Sequence, residues 1–149
     1  MTEQKPRIEA AEKNGEGFFT VYWSALQKAD KYIVTNTVPA VSGIYELYYQ
    51  DEKKALNLLT VCGAWLGGLR SEIRESIEPN DKKPQNLQII LEHAPLYFRY
   101  TQSPVKQTIQ DVLWFLNELY FGDKTIIRDS GRYSRIYVKE YAPDKMHWI

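Results

Sequence analysis

Val38-Pro-Ala-Val-Ser-Gly-Ile-Tyr-Glu-Leu-Tyr-Tyr49 leads through the charged run Gln50-Asp-Glu-Lys-Lys54 into Leu56-Asn-Leu-Leu-Thr-Val-Cys-Gly-Ala-Trp-Leu-Gly-Gly-Leu-Arg-Ser-Glu-Ile-Arg74. The residues from Gly43 to Tyr49 alternate and are rich in β-branched and aromatic side chains, which predicts a strand. Leu56 to Cys62 is its partner, so the pair reads as a hairpin across a polar turn. Gly63, Gly67 and Gly68 then break the chain. Leu69, Ile73 and Ile77 recur every four residues, the spacing of one buried helix face. This unit carries a tyrosine hydroxyl, Tyr45, and two guanidinium groups, Arg70 and Arg74. Together they have the chemistry to hold a phosphate.

Outward from that unit, the pattern predicts more elements. Gln85 to His93 reads as a short helix stopped by Pro95, and Leu96 to Tyr100 as a third strand. Ser103-Pro104 has the form of an N-cap and first helical residue. The helix they open reaches about Tyr120, with Val105, Ile109, Val112, Leu113, Leu116 and Leu119 as its apolar stripe, and Gly122 ends it. A second hairpin follows: Lys124 to Arg128, the turn Asp129 to Arg132, then Tyr133 to Tyr141. Toward the other end, Met1 to Gly17 is polar and lacks aromatic residues, which suggests a flexible arm with a frayed helix near Ile8 to Lys13. Phe18 to Tyr32 suits a helix, because Ser24 to Lys31 continues with good helix formers. A strand over Phe18 to Trp23 is the alternative. Thr35 to Ser42 is a connector. The expected fold is a single α+β domain over 18–149. A small antiparallel sheet of about three core strands is flanked by helices, with an extra C-terminal β-hairpin.

A chain of 149 residues fits one domain, and buries roughly 68–70% of its unfolded surface without help from disulfides or metals. Cys62 is the single cysteine, so no intrachain disulfide is possible. That and the charged N-terminus, which lacks an apolar signal core, favour a cytoplasmic protein. No run approaches the roughly 18 apolar residues of a membrane span. Nineteen basic residues balance nineteen acidic ones. A nucleic-acid binder is more often basic overall, so such a role here requires the charge to be segregated. The eleven tyrosines serve cores, interfaces and base-stacking surfaces alike.

The element order from Val38 to Phe121 and the triplet Gly43-Ile44-Tyr45, placed after a proline and a serine, resemble GIY-YIG nuclease domains. The family's second triplet falls at Val61-Cys62-Gly63, where only the glycine matches. The resemblance implies that Tyr45 acts as a base, with Arg70 or Arg74 as the phosphate-gripping cation. It places Asp111 where the family has a metal-binding glutamate, and so implies Mg²⁺ (or Mn²⁺) if the domain cleaves. With the second tyrosine and the glutamate absent, binding nucleic acid without cutting it is the companion expectation.

Each of these residues also has a plain reading. Tyr45 would be a half-buried packing residue, Arg70 and Arg74 a solvated helix face with Arg74 paired to Glu78, and Asp111 an exposed helix residue. A second surface is suggested by Arg135-Ile-Tyr-Val-Lys-Glu-Tyr. Alternation puts Arg135, Tyr137, Lys139 and Tyr141 on one face and Ile136 and Val138 on the other. Arg128 and Arg132 lie nearby in sequence. Basic groups interleaved with rings can pair with phosphates and stack on unpaired bases of DNA or another nucleic acid. The competing expectation is a non-enzymatic protein-interaction module. An aromatic-rich surface and an apolar C-terminus ending in Trp148 and Ile149 would then meet a protein partner or a second copy.

Overall fold

The computed structural model describes residues 5–122 and 127–143. It is an α+β fold in which two sheets and four helices enclose two hydrophobic clusters among the described residues. The strands are β1 (Arg7–Lys13), β2 (Glu16–Tyr22), β3 (Gln27–Lys28), β4 (Gly43–Gln50), β5 (Leu56–Ala64), β6 (Leu96–Gln102) and β7 (Arg135–Tyr141). The helices are α1 (Lys31–Thr37), α2 (Gly68–Ile77), α3 (Gln85–His93) and α4 (Lys106–Phe121). No helix among the described residues is long and apolar enough to cross a membrane.

The antiparallel sheet expected around the opening hairpin is four-stranded, in the order β3-β6-β4-β5. Its central strand β4 is buried on both faces. Tyr45 and Leu47 face one cluster with Leu69 and Ile73 of α2, Leu91 of α3 and Val34 of α1. Ile44 faces the other cluster with Ile109, Val112 and Leu116 of α4 and with Phe19, Val21 and Trp23. The alternation of the strand thus sends neighbouring side chains to opposite sides of the sheet.

Two readings of the N-terminal third are corrected. Arg7 to Tyr22 is neither an arm nor a helix but a hairpin, β1–β2, with Arg7 opposite Tyr22 and Lys13 opposite Glu16. Asn14 and Gly15 form its turn with positive φ at both positions (56° and 78°), the geometry that Asn-Gly favours because it matches the strand twist. Phe19 and Val21 are buried, and Phe18 and Thr20, which alternate with them, point outward. This period of two marks a strand, and it overrides the helix formers downstream. The helix begins instead at Lys31, where the Asp30 carboxylate accepts hydrogen bonds from the Tyr32 and Ile33 N–H groups, both at 2.9 Å.

The C-terminal hairpin is also revised. Part of its first arm, 124–126, lies outside the described residues, and Ile127 and Arg128 are not in a strand. β7 pairs instead with β2, in parallel, giving a three-stranded sheet β1-β2-β7. Ile136 and Val138 face inward as expected and pack with Phe19 and Ile109. The tail from 144 onward, with Trp148 and Ile149, lies outside the described residues.

Candidate nucleic-acid interface

The residues that the family resemblance would gather do not share one hollow. Tyr45 is 2% exposed and lies beneath α2, its hydroxyl bonded to the Ser76 hydroxyl. Burial, then the nearby Cys62, holds the phenol well above its ordinary ionisation range. A general base needs the opposite shift. Arg70 donates from Nε to the Val38 carbonyl (2.8 Å). It lines, with Arg74, Ser71, Glu75, Glu78 and Asn80, an open cleft of about 400 Å³. Arg74 forms no ion pair with Glu78. Arginine and phenol therefore belong to the same helix neighbourhood, but the phenol is sealed from the cleft.

Asp111 is on the other side of the four-stranded sheet, on α4, and fully buried. Its Oδ1 accepts from the Ser130 N–H (2.7 Å), and its Oδ2 accepts from the Ser130 hydroxyl (2.9 Å) and from Arg132 Nη2 (2.7 Å). All of these donors hold the 129–132 loop to α4. With a guanidinium on the carboxylate and no solvent access, the residue does not fit Mg²⁺ or Mn²⁺. Among the described residues no group of three or more His, Cys, Asp or Glu could hold a metal ion. Asp111→Ala is expected to lose about 1.5–3 kcal/mol, the worth of hydrogen bonds to a charged group. It should also speed amide exchange over 128–133, read by hydrogen–deuterium exchange.

The second predicted surface is assembled. On the outward face of β1-β2-β7 the registers place side chains in rows. Lys13, Glu16 and Arg135 form the first row; Ala11, Phe18 and Tyr137 the second; Glu9, Thr20 and Lys139 the third; Arg7, Tyr22 and Tyr141 the fourth. Phe18 and Tyr137 stack with centroids 5.0 Å apart and planes 11° apart. Tyr22 and Tyr141 stack at 5.4 Å and 17°. Arg7 lies 4.1 Å over the Tyr22 ring, where its guanidinium also meets Glu9 (2.7 Å). Lys139 Nζ is 5.8 Å from the Tyr141 ring. Phe18, Tyr137 and Tyr141 remain 38%, 42% and 47% exposed.

Four basic residues face two acids here, so a chain with no net charge carries a local cationic excess. Arg135, Tyr137, Lys139 and Tyr141 are on this face as the alternation predicts. Phe18, Tyr22, Arg7 and Lys13 join them, and sequence reading missed these because it did not see the hairpin. Arg128 and Arg132 are not on the sheet. Arg132 serves Asp111 and lies over Tyr133 (4.9 Å), and Arg128 is in the same loop, its carbonyl accepting from Gln110 Nε2 (3.1 Å).

A buried polar cluster was also missed. Glu46 and Arg99 are directly opposed on β4 and β6, and Arg99 Nε reaches Glu46 Oε1 at 2.5 Å. The Tyr48 hydroxyl donates to the same oxygen (2.7 Å). Arg99 also covers the Trp23 ring at 4.5 Å, and Trp23 Nε1 donates to Glu140 Oε1 of β7 (2.8 Å). This chain of contacts joins the two sheets. The signal in the sequence was a charge at the centre of each of two otherwise apolar strands.

A family model described as "Uncharacterised protein" matches residues 4–149. No curated protein matches the chain. No solved structure matches it.

Proposed function

We propose that this chain, which belongs to that family, binds single-stranded nucleic acid on the outward face of β1-β2-β7 and does not cleave it. The observation that carries the reading is the pair of cross-strand ring stacks left open to solvent among Arg7, Lys13, Arg135 and Lys139. Rings of this kind accept any base by stacking, and the cations track the phosphates between bases. The core from Val38 to Phe121 is part of the same proposal as a diverged GIY-YIG-like domain. The element order supports the relationship, and the sealed Tyr45 and the engaged Asp111 support loss of cleavage. A cytoplasmic setting accords with a single, unpaired cysteine.

The test is fluorescence anisotropy with labelled oligo(dT), oligo(rU) and a duplex. Single strands should bind more tightly than duplex. Affinity should fall with salt, log K against log[salt] having a slope of about −1.5 to −3 for two to four phosphate contacts. Phe18→Ala and Tyr137→Ala should each weaken binding roughly 5- to 150-fold while leaving the melting transition nearly unchanged, since both rings stand on the solvent face. Binding that ignores these substitutions, or none at low salt, would overturn the proposal. A protein-interaction module is the second reading. It is favoured by β7, whose outer edge pairs with no strand among the described residues and could accept one from a partner.

A further inference from the structure

At its Tyr22–Tyr141 end the aromatic face runs onto Arg7, which belongs to two surfaces at once. Its guanidinium lies over Tyr22. The same residue lines a hollow of about 310 Å³ where β1 begins beside the end of β6, together with Lys5, Pro6, Val41, Gln102 and Pro104. The walls supplied by Pro6, Val41 and Pro104 are apolar, and Lys5 and Arg7 make the rim cationic. The nearby serines are occupied: the Ser42 hydroxyl donates to the Ser103 carbonyl (2.5 Å), and the Ser103 hydroxyl accepts from the Val105 N–H (3.2 Å). Gln102 differs from them, because its half-buried amide makes no hydrogen bond among the described residues.

We infer that this hollow takes one unstacked nucleobase of a strand lying on the aromatic face, with the Gln102 amide hydrogen-bonded to the edge of the base. The inference rests on the binding function proposed above. Three features point to this occupant. A flat, largely apolar ring with polar edge atoms matches walls of proline and valine with one amide between them. An amide offers a donor and an acceptor side by side, the pairing that suits adjacent polar atoms on a base such as adenine. The phosphate that precedes such a base would fall at the rim, where Arg7 already links the hollow to the stacked rings. The face alone is indifferent to sequence, so the hollow is where a base preference would arise.

The experiment is an abasic scan. A short single-stranded oligonucleotide is made with the base removed at each position in turn, and each is titrated by anisotropy against wild type, Gln102→Ala and Val41→Trp. Val41 is exposed, so tryptophan there fills the hollow without disturbing the core, and a melting curve verifies folding. In wild type, one terminal position should show a roughly 10-fold penalty for the missing base, larger for adenine than for thymine. Both variants should erase that penalty while keeping the dependence on Tyr137. If the intact oligonucleotide binds through Tyr137 but the positional penalty is absent, or survives in both variants, the hollow is not a base site and the aromatic-face function stands alone. If no oligonucleotide binds at all, both proposals fall together.

Discussion

Arg99→Met is expected to remove about 3–5 kcal/mol of folding stability at neutral pH, the cost of leaving one member of a buried ion pair alone. For a chain of this size that is a fall in melting temperature on the order of 10 °C. Glu46 has no solvent access, and its Oε2 already lacks a hydrogen bond. Burial raises its pKa above the ordinary 4.5, with Arg99 and then Tyr48 opposing the rise. Removing Arg99 takes away the larger opposition, so the folded-state pKa climbs further. A carboxyl raised in this way stabilises the fold only below its unfolded pKa, and the benefit is lost as pH rises through the folded value. The deficit of Arg99→Met relative to wild type should therefore be large at pH 7 and shrink as pH falls toward 4.5. Urea denaturation at both pH values measures it. Glu46→Leu combined with Arg99→Met should be less damaging than Arg99→Met alone, because no fully buried charge is then left unpaired. Glu140, which also pairs with Arg99 (3.8 Å), is partly exposed and keeps its Trp23 hydrogen bond. A deficit under about 1 kcal/mol, or one that ignores pH, would show that the pair is not energetically coupled.

Gly43→Ala should be nearly as damaging, at about 3 kcal/mol or outright loss of soluble protein. A Cβ at Gly43 would stand 2.0 Å from the Thr101 carbonyl oxygen and 2.9 Å from Leu69 Cδ1. The first of these is backbone on the neighbouring strand, locked by the pairing of Ile44 with Thr101. It cannot retreat without breaking β4 from β6. Gly63→Ala is the control. Its Cβ would meet only the ends of Ile109 and Leu113, each at 3.3 Å, and these can turn aside for less than about 1 kcal/mol. The two glycines through which the chain resembles GIY-YIG domains thus differ in physical need. Equal effects, measured by soluble yield and urea midpoint, would refute that distinction.

The segment from Gly43 to Phe121 was legible because its apolar spacing carried the information. α2 and α3 end where periodicity and proline place them, and β4 and β6 each extend a residue or two beyond. The two outer strands were hidden for different reasons. β1 is Arg-Ile-Glu-Ala-Ala-Glu-Lys, mostly exposed and made of helix formers, and it is a strand only because β2 and the Asn14-Gly15 turn hold it. That dipeptide was the available signal. β7 was recognisable as a strand but not as a partner of β2, since parallel pairing leaves no local mark. The candidate site followed the same division. The outward half of β7 could be read from alternation, whereas the rings and cations supplied by β1 and β2 required the pairing. Tyr45 shows the limit of a triplet match. Its strand is covered on both faces, by α2 and by α4, and no three-residue motif reports how many helices lie above it.

Gly15 and Ser134 hydrogen-bond across 119 positions of sequence, at the point where β2 and β7 come together. A ribosome must release everything between β2 and β7 before that junction can close. Phe18 and Tyr22 therefore wait, without their stacking partners, until the chain through Tyr141 has emerged. A chain cut short before Tyr137 retains the charges of its first hairpin but has no finished platform, so premature termination should abolish the strand binding proposed above, even where its central helices have formed.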